Sequence, residues 1–526
     1  MNRHYVRAIS FTVGVGLVLG GLGAFRMSRR SVRAGSVRAE SAPSSAPGDF
    51  TAVDNYLTAQ MKTAHIPGLS VAIVQGDQLV YQKGYGQADA SGRAVTPQTP
   101  FIIGSISKTF TALAVLQLVE AGQVALDAPA QRYLPYFRVA DPQAAAQITV
   151  RHLLTHTSGL PQKADTFLWT DQDAGVLERS VRYLRTVKLA RPIGQFGYSN
   201  ANYQTLGLIV QTVSGQSYEA YIAQRIFAPL EMQTSFASQE EAQRHGMASG
   251  YQWMFGFPVP ATLPYIRAEL PAGFLICSAE DMAHYLIAQL NGGQYHDRSI
   301  LSPQGIAFLQ TRSAGVPYGN GWDNGGTLVN QDGATANYQA SVFFDPQAKV
   351  GVFLAANVMN GLDGLSSPRG AVTFAAITTR GMAHSVLNLA TQQPLPDQGV
   401  GIARISLLFD LLVLALTGVL ALAFWRVPRR YRRLGQRGIA RWSELARRSG
   451  WIAALHFAWP AALVYVALTL PEWKELVWFQ PDLTYWLSAV ATLVTLKGAS
   501  ELALSWRVFE QGRQGHTPTM RRAQYA

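Results

Sequence analysis

Three apolar runs crowd the C-terminal quarter of the chain and force its division into a membrane-type unit and a globular one. From Ile405 to Trp425 the only charge is Asp410, and from Trp451 to Pro471 there is none. Each run has about the 20 residues that cross a bilayer as a helix. A third run, Leu483 to Trp506, carries Lys497 and Glu501 and is the weakest of the three. Spaced i to i+4, these two residues read as a helix ion pair with a snorkelling lysine rather than as an intramembrane site. Eight of the eleven tryptophans lie between Trp425 and Trp506.

Basic residues are retained on the cytoplasmic side of short loops. Nine arginines lie between the first two runs, from Arg426 to Arg448, opposed only by Glu444. That loop is expected inside, with the arginine-bearing tail after Arg507, and the segment just before Ile405 outside. At the N-terminus Arg3 and Arg7 precede an apolar stretch, Ala8 to Phe25, of the size of a cleaved signal peptide or a retained anchor. The expected layout is a signal or anchor over 1–33, a small-residue tether over 34–48, a globular domain over 49–390, a linker over 391–400 and three membrane helices over 401–526. The net charge of +12 is concentrated beside the membrane runs, so it speaks for topology and anionic lipid and against nucleic acid. Cys277 is the only cysteine, which excludes an internal disulfide and a thiolate metal site.

Within the globular domain, Leu69 to Val74 and Gln78 to Gln82 flank Gly76-Asp77, a hairpin signal. Near its end Ser341 to Phe344 and Val350 to Ala356 flank Asp345-Pro346, followed by a helical stretch from about Pro368 to Leu389. Helical signals, such as Tyr203 to Ser214 and Tyr218 to Phe227, fill the interval. Hairpins at both ends of a helical insertion predict an α/β (α+β) fold with one central antiparallel sheet, assembled from both ends, and a helical lobe.

After Gly104 the sequence SISKTFTALAVLQLVEAG is apolar on nearly every helical face and stops at Gly122, which predicts a buried helix. Ser105 and Lys108 then occupy neighbouring positions in its first turn. Burial and the positive helix end both disfavour an ammonium, so Lys108 is expected neutral near pH 7 and able to take the serine proton. Tyr198-Ser199-Asn200 opens a second helix and offers a phenol to relay a proton and an amide to orient Lys108 and a substrate carbonyl. His156 and Ser158 lie in LLTHTSGL without a Gly-x-Ser-x-Gly elbow, and His152 and His156 lack the glutamate of a zinc motif. They read as structural, and no metal or other cofactor is expected.

Together with ITVRHLLTHTSGL, FGYSNANYQTLG, LPAGFLICSAEDMAHYL, YGNGW and QDGATANYQASVFFDP, these motifs make Asp49 to Leu389 resemble the serine β-lactamase and penicillin-binding-protein superfamily, in its class C β-lactamase-like branch, peptidase family S12. The resemblance implies a β-lactamase/transpeptidase-like fold, Ser105 as the acylated nucleophile, Lys108 as its base, Tyr198 as the proton relay and Asn200 as a substrate-binding amide. It also implies an oxyanion hole from the backbone N–H groups of Ser105 and Ala334. Where the family usually has Lys or His before a small residue and glycine, this chain has Gln331-Asp332-Gly333. A glutamine cannot pair with a substrate carboxylate, and Asp332 is expected to add negative charge nearby. Ile102, three residues before the nucleophile, is apolar.

These features imply a membrane-anchored, extracytoplasmic serine hydrolase acting on a small peptide, amide or ester. The layout resembles membrane-bound peptidases that remove an N-acyl-D-amino-acid group from exported peptides. A β-lactamase or esterase of the same fold, and a non-catalytic penicillin-binding or cell-wall sensor, are the alternatives.

Overall fold

The computed structural model describes residues 49–513 except 163–168, 255–256, 313–314, 325, 360–377, 396–401, 470–480 and scattered positions between 428 and 440. Helix α1 (Thr51–Thr63) leads into β1 (Gly68–Gln75) and β2 (Gln78–Gly86), which pair Gln75 with Gln78 around the turn. Gly76 there has φ +62°, the left-handed geometry that a two-residue hairpin turn demands. The far end of the domain supplies β3 (Asp323–Asn324), β4 (Val329–Thr335), β5 (Tyr338–Asp345) and β6 (Val350–Ala356). The antiparallel order is β2-β1-β6-β5-β4-β3, one sheet assembled from both ends of the domain as expected, joined where β1 pairs with β6.

Both faces of the two central strands are covered. Ala72 and Val74 of β1 join Phe353 and Ala355 of β6 in a core on one side. Val71 and Ile73 join Val352 and Leu354 in a core on the other. This period of two explains why neither strand alternates in polarity. Helices α2 (Ser107–Glu120) and α4 (Ala279–Leu290) belong to the first core, while α1 and α5 (Thr378–Ala390) cover the second. Between β2 and β3 lies the helical lobe with α3 (Asn200–Ser214); the second predicted helix is Tyr218–Ile222, continued as a wider turn over Ala223–Phe227. Of the helix expected from Pro368, residues 368–377 lie outside the described residues.

Asp332 corrects one expectation. Its side chain points away from Gln331 and Gly333 along β4, receives a hydrogen bond from Ser341 Oγ at 2.8 Å, and pairs with Arg380 of α5. Its charge is therefore spent on docking α5. Arg380→Met is expected to destabilise the domain by about 1–2 kcal/mol, since it leaves a buried carboxylate unpaired but removes a cation that is itself partly hydrated; chemical denaturation measures this.

The C-terminal unit contains α6 (Ile402–Trp425), α7 (Trp442–His456), α8 (Ala458–Thr469) and α9 (Pro481–Arg513). The second apolar run is not one helix. It breaks between α7 and α8, where Pro460 has no N–H to donate to the His456 carbonyl and its ring crowds it. Among the described residues one helix, Leu483–Arg513, is long and apolar enough to cross a membrane; it contains the run expected to be weakest. Lys497 and Glu501 form the expected pair at 2.9 Å, but the lysine does not snorkel. It is buried at 2.7 Å from His456 Nε2 of α7.

Candidate active site

The strand Phe101–Ile102 pairs with Ile276–Cys277, and the chain then turns sharply through Gly104, φ +54°. Residues Gly104–Ile106 form a 3-10 turn, so Ser105 sits just before α2 rather than inside it, with Lys108 one turn on. Ser107 secures the turn by donating to Gly104 O and accepting from Leu275 N. The turn lies against β4 so closely that side chains are excluded on both sides. A Cβ on Gly104 would lie 2.2 Å from Ala334 N, and one on Gly333 would lie 1.9 Å from Ile103 O and 2.9 Å from Ser105 N. The two glycines let the backbone of β4 at Ala334 approach the backbone of the nucleophile turn at Ser105.

Lys108 Nζ lies 3.0 Å from Ser105 Oγ, and Tyr198 OH lies 2.7 Å from the same oxygen. Lys108 also donates to Ala272 O at 2.5 Å and sits 4.9 Å from the centre of the Tyr198 ring. Burial draws the lysine pKa down to about 7, against a partial upward pull from Glu269. Burial pushes the Tyr198 phenol up, so it remains protonated. An amine that can lose its proton near pH 7 and a protonated phenol thus flank one serine hydroxyl, an arrangement that can activate it as a nucleophile and return a proton to a leaving group.

His156 and Ser158 take structural positions, as expected. His156 Nδ1 accepts from Ser199 N at 3.2 Å at the start of α3, and its ring packs 4.4 Å from that of Tyr198. Burial lowers its pKa well below the ordinary value, so it is a neutral prop for the YSN turn. Ser158 Oγ donates to Asn202 Oδ1. His152 closes a capping box with Thr149.

The site opens into a cleft of about 260 Å³ lined by Ser105, Asn200, Ala334 and Ile102, among others. Asn200 forms no hydrogen bond to Lys108 in the structure; its Oδ1 is buried and unpartnered. Gln331 is buried beside the cleft without lining it, and its Nε2 donates to Asp332 O. Sequence reasoning passed over Glu269. This carboxyl is 1% exposed, lines the cleft, and has its pKa raised to about 8 by burial, with Lys108 and a hydrogen bond from Asn200 pulling the other way. Its one sequence signal is a lone carboxylate immediately before the apolar LPAGF segment.

A model of the beta-lactamase family matches residues 53–375, more than half of the chain. The chain belongs to the beta-lactamase family. Among its relatives are Protein flp of Staphylococcus aureus strain MW2, 30% identical over 319 residues, 58% of this chain and 62% of that protein, and Penicillin-binding protein 4 of Amycolatopsis lactamdurans, 32% identical over 280 residues, 51% of this chain and 73% of that protein. The chain thus matches about three-fifths of the length of the S. aureus relative. Of solved structures, the octameric penicillin-binding protein homologue from Pyrococcus abyssi is similar with a TM-score of 0.56 and 29% identity, over 66% of this chain and 79% of that one. FmtA from S. aureus, TM-score 0.52 and 24% identity over 68% and 93%, shares the fold. The β-lactamase/transpeptidase-like fold expected from the motifs is therefore the fold of this family of serine hydrolases and penicillin-binding proteins.

Proposed function

We propose that the chain is a membrane-anchored serine hydrolase of the S12, class C-like type that cleaves an amide or ester through an acyl-enzyme on Ser105. The observation that carries this reading is the double contact of Ser105 Oγ with a lysine held near neutrality and a protonated tyrosine. Lys108 takes the serine proton as Oγ attacks the carbonyl carbon. The oxyanion is received by the N–H groups of Ser105 and Ala334, and Tyr198 protonates the departing amine or alcohol, regaining its proton from the Lys108 ammonium. Water then attacks the ester in the reverse sense, giving its proton to the same pair and releasing the acid. Asn200 bounds the substrate cleft. With no lysine, arginine or histidine among the described residues lining the cleft, and Gln331 where the family motif usually has Lys or His, the substrate is a peptide, amide or ester without a carboxylate at that place, such as a D-amino-acid-containing or N-acylated peptide.

The domain, over 49–390, would face the periplasm or exterior, joined by the 391–400 linker to helices whose outer faces, including Leu414, Val419, Val464 and Leu496, are exposed for lipid. The second reading, a sensor acylated once by a cell-wall fragment or antibiotic, is favoured by Gln331 alone. Turnover separates the two. The purified full chain is expected to release many equivalents of p-nitrophenol from p-nitrophenyl esters and little product from nitrocefin, with both lost in Ser105→Ala; arrest after one equivalent would support the sensor.

A further inference from the structure

The cleft beside Ser105 has a one-sided charge pattern. Among the described residues that line it there is no lysine, arginine or histidine, and Glu269 is the one carboxyl group. The chain holds that carboxyl deliberately in place. Gln204 Nε2 donates to Glu269 Oε1 at 2.9 Å. The preceding Arg267 is fixed by Glu219 at 2.8 Å, and the turn that follows is tied to α2 by Thr111 Oγ1 donating to Pro271 O and by Lys108 donating to Ala272 O. Yet Glu269 Oε2 is fully buried with no partner at full hydrogen-bond geometry; besides Gln204, the side chain that stabilises its ionised form by hydrogen bonding is the neighbouring Asn200 amide. The neighbouring amide oxygen, Asn200 Oδ1, is likewise buried and unpartnered.

Two orphaned acceptors on the wall of one cleft call for a donor, because leaving a buried acceptor unpaired costs the full desolvation of that group. An ammonium group can donate to both, and it matches a carboxylate whose one neighbouring cation, Lys108, is itself drawn toward neutrality by burial.

We propose that Glu269 determines specificity, receiving on Oε2 the protonated α-amine of the acyl part of the substrate, so that the preferred substrates are amides or esters of amino acids with a free amine. This rests on the hydrolase reading above and narrows it, selecting a free amine over an N-acylated one. The proton balance is simple. An arriving ammonium pairs with the Glu269 carboxylate, and an arriving neutral amine takes the proton of the Glu269 carboxylic acid to give the same ion pair. Lys108, neutral in that complex, remains free to accept the serine proton. An N-acyl group removes the positive charge and adds bulk at the buried oxygen, and a carboxylate in the same position meets like charge.

The test compares the p-nitroanilides of D- and L-alanine with their N-acetyl forms, using the full chain in detergent, for wild type and Glu269→Gln. The glutamine keeps the shape but lacks the charge and presents an amide N–H toward the amine. Wild type is expected to prefer the free amine by about tenfold or more in kcat/KM, and Glu269→Gln to collapse that ratio about tenfold, chiefly through KM. A purely structural role for Glu269 would depress both substrates together and leave the ratio intact, which overturns the proposal. Turnover in wild type without preference for the free amine also overturns it while leaving the hydrolase reading in place. Absence of acylation and turnover with every compound, the N-acetyl forms and p-nitrophenyl esters included, overturns both.

Discussion

Lys108→Met is expected to slow acylation of Ser105 about a thousandfold while making the fold more resistant to heat. The lysine is fully buried, and its pKa falls from 10.5 in the open chain to about 7 in the folded one. At and below pH 7 that shift corresponds to roughly 5 kcal/mol of destabilisation. Methionine fills a similar volume without it, and gives up only the hydrogen bonds to Ala272 O and Ser105 Oγ, so a gain of about 1–3 kcal/mol remains. The sign of the pH dependence follows. Between about pH 7 and 10 the folded state binds fewer protons at Lys108 than the unfolded chain, so this residue makes wild-type stability rise with pH there. Glu269, raised from 4.5 to about 8, binds more protons folded and contributes the opposite slope below pH 8, leaving the lysine slope visible above it. Acylation by wild type is expected to climb through about pH 7 as Lys108 loses its proton. The groups facing that lysine are Glu269, Tyr198, Tyr203 and His156. Melting curves and a pH–rate profile of the two proteins check both halves; unchanged acylation in Lys108→Met removes the lysine from the chemistry.

Gly333→Ala should remove most of the activity through the backbone alone. The added methyl would lie 1.9 Å from Ile103 O and 2.9 Å from Ser105 N, so β4 and the nucleophile turn must separate. Each oxyanion donor is worth about 100-fold to 1000-fold in kcat when correctly aimed. Moving the Ser105 and Ala334 N–H groups apart is therefore expected to lower kcat at least about 100-fold, with KM changed much less. The side chains of Ser105, Lys108 and Tyr198 are untouched by the substitution. Wild-type kcat in Gly333→Ala, measured with a p-nitrophenyl ester, would show that the oxyanion is held elsewhere.

How much of this was legible in the sequence depends on the range of the interaction. The hairpins at Gly76-Asp77 and Asp345-Pro346 are local signals that fix the pairings of β1 with β2 and of β5 with β6, whereas the pairing of β1 with β6 is made only when the two ends of the domain meet. The helix after Gly104 was readable because it is apolar on every face, and with it the burial of Lys108. The pairing of Asp332 was not readable. Its partner Arg380 lies 48 residues away on a helix whose docking face only the folded sheet defines. Glu269 was missed for the same reason: its burial and its orphaned oxygen come from α3 and α2, distant in sequence. In the C-terminal unit hydropathy located the apolar runs but not the break at Pro460, and the ion pair at Lys497 and Glu501 gave no hint of the His456 contact.

The central claim is that Ser105 becomes covalently acylated and is then freed by water. The most direct measurement is mass spectrometry of the full chain quenched during turnover of a slowly hydrolysed p-nitrophenyl ester, with peptide mapping. The account predicts an acyl adduct on the peptide containing Ser105 that appears within one turnover, decays when substrate is exhausted, and is absent in Ser105→Ala. Product release with no adduct on Ser105, or equal release by Ser105→Ala, would contradict it.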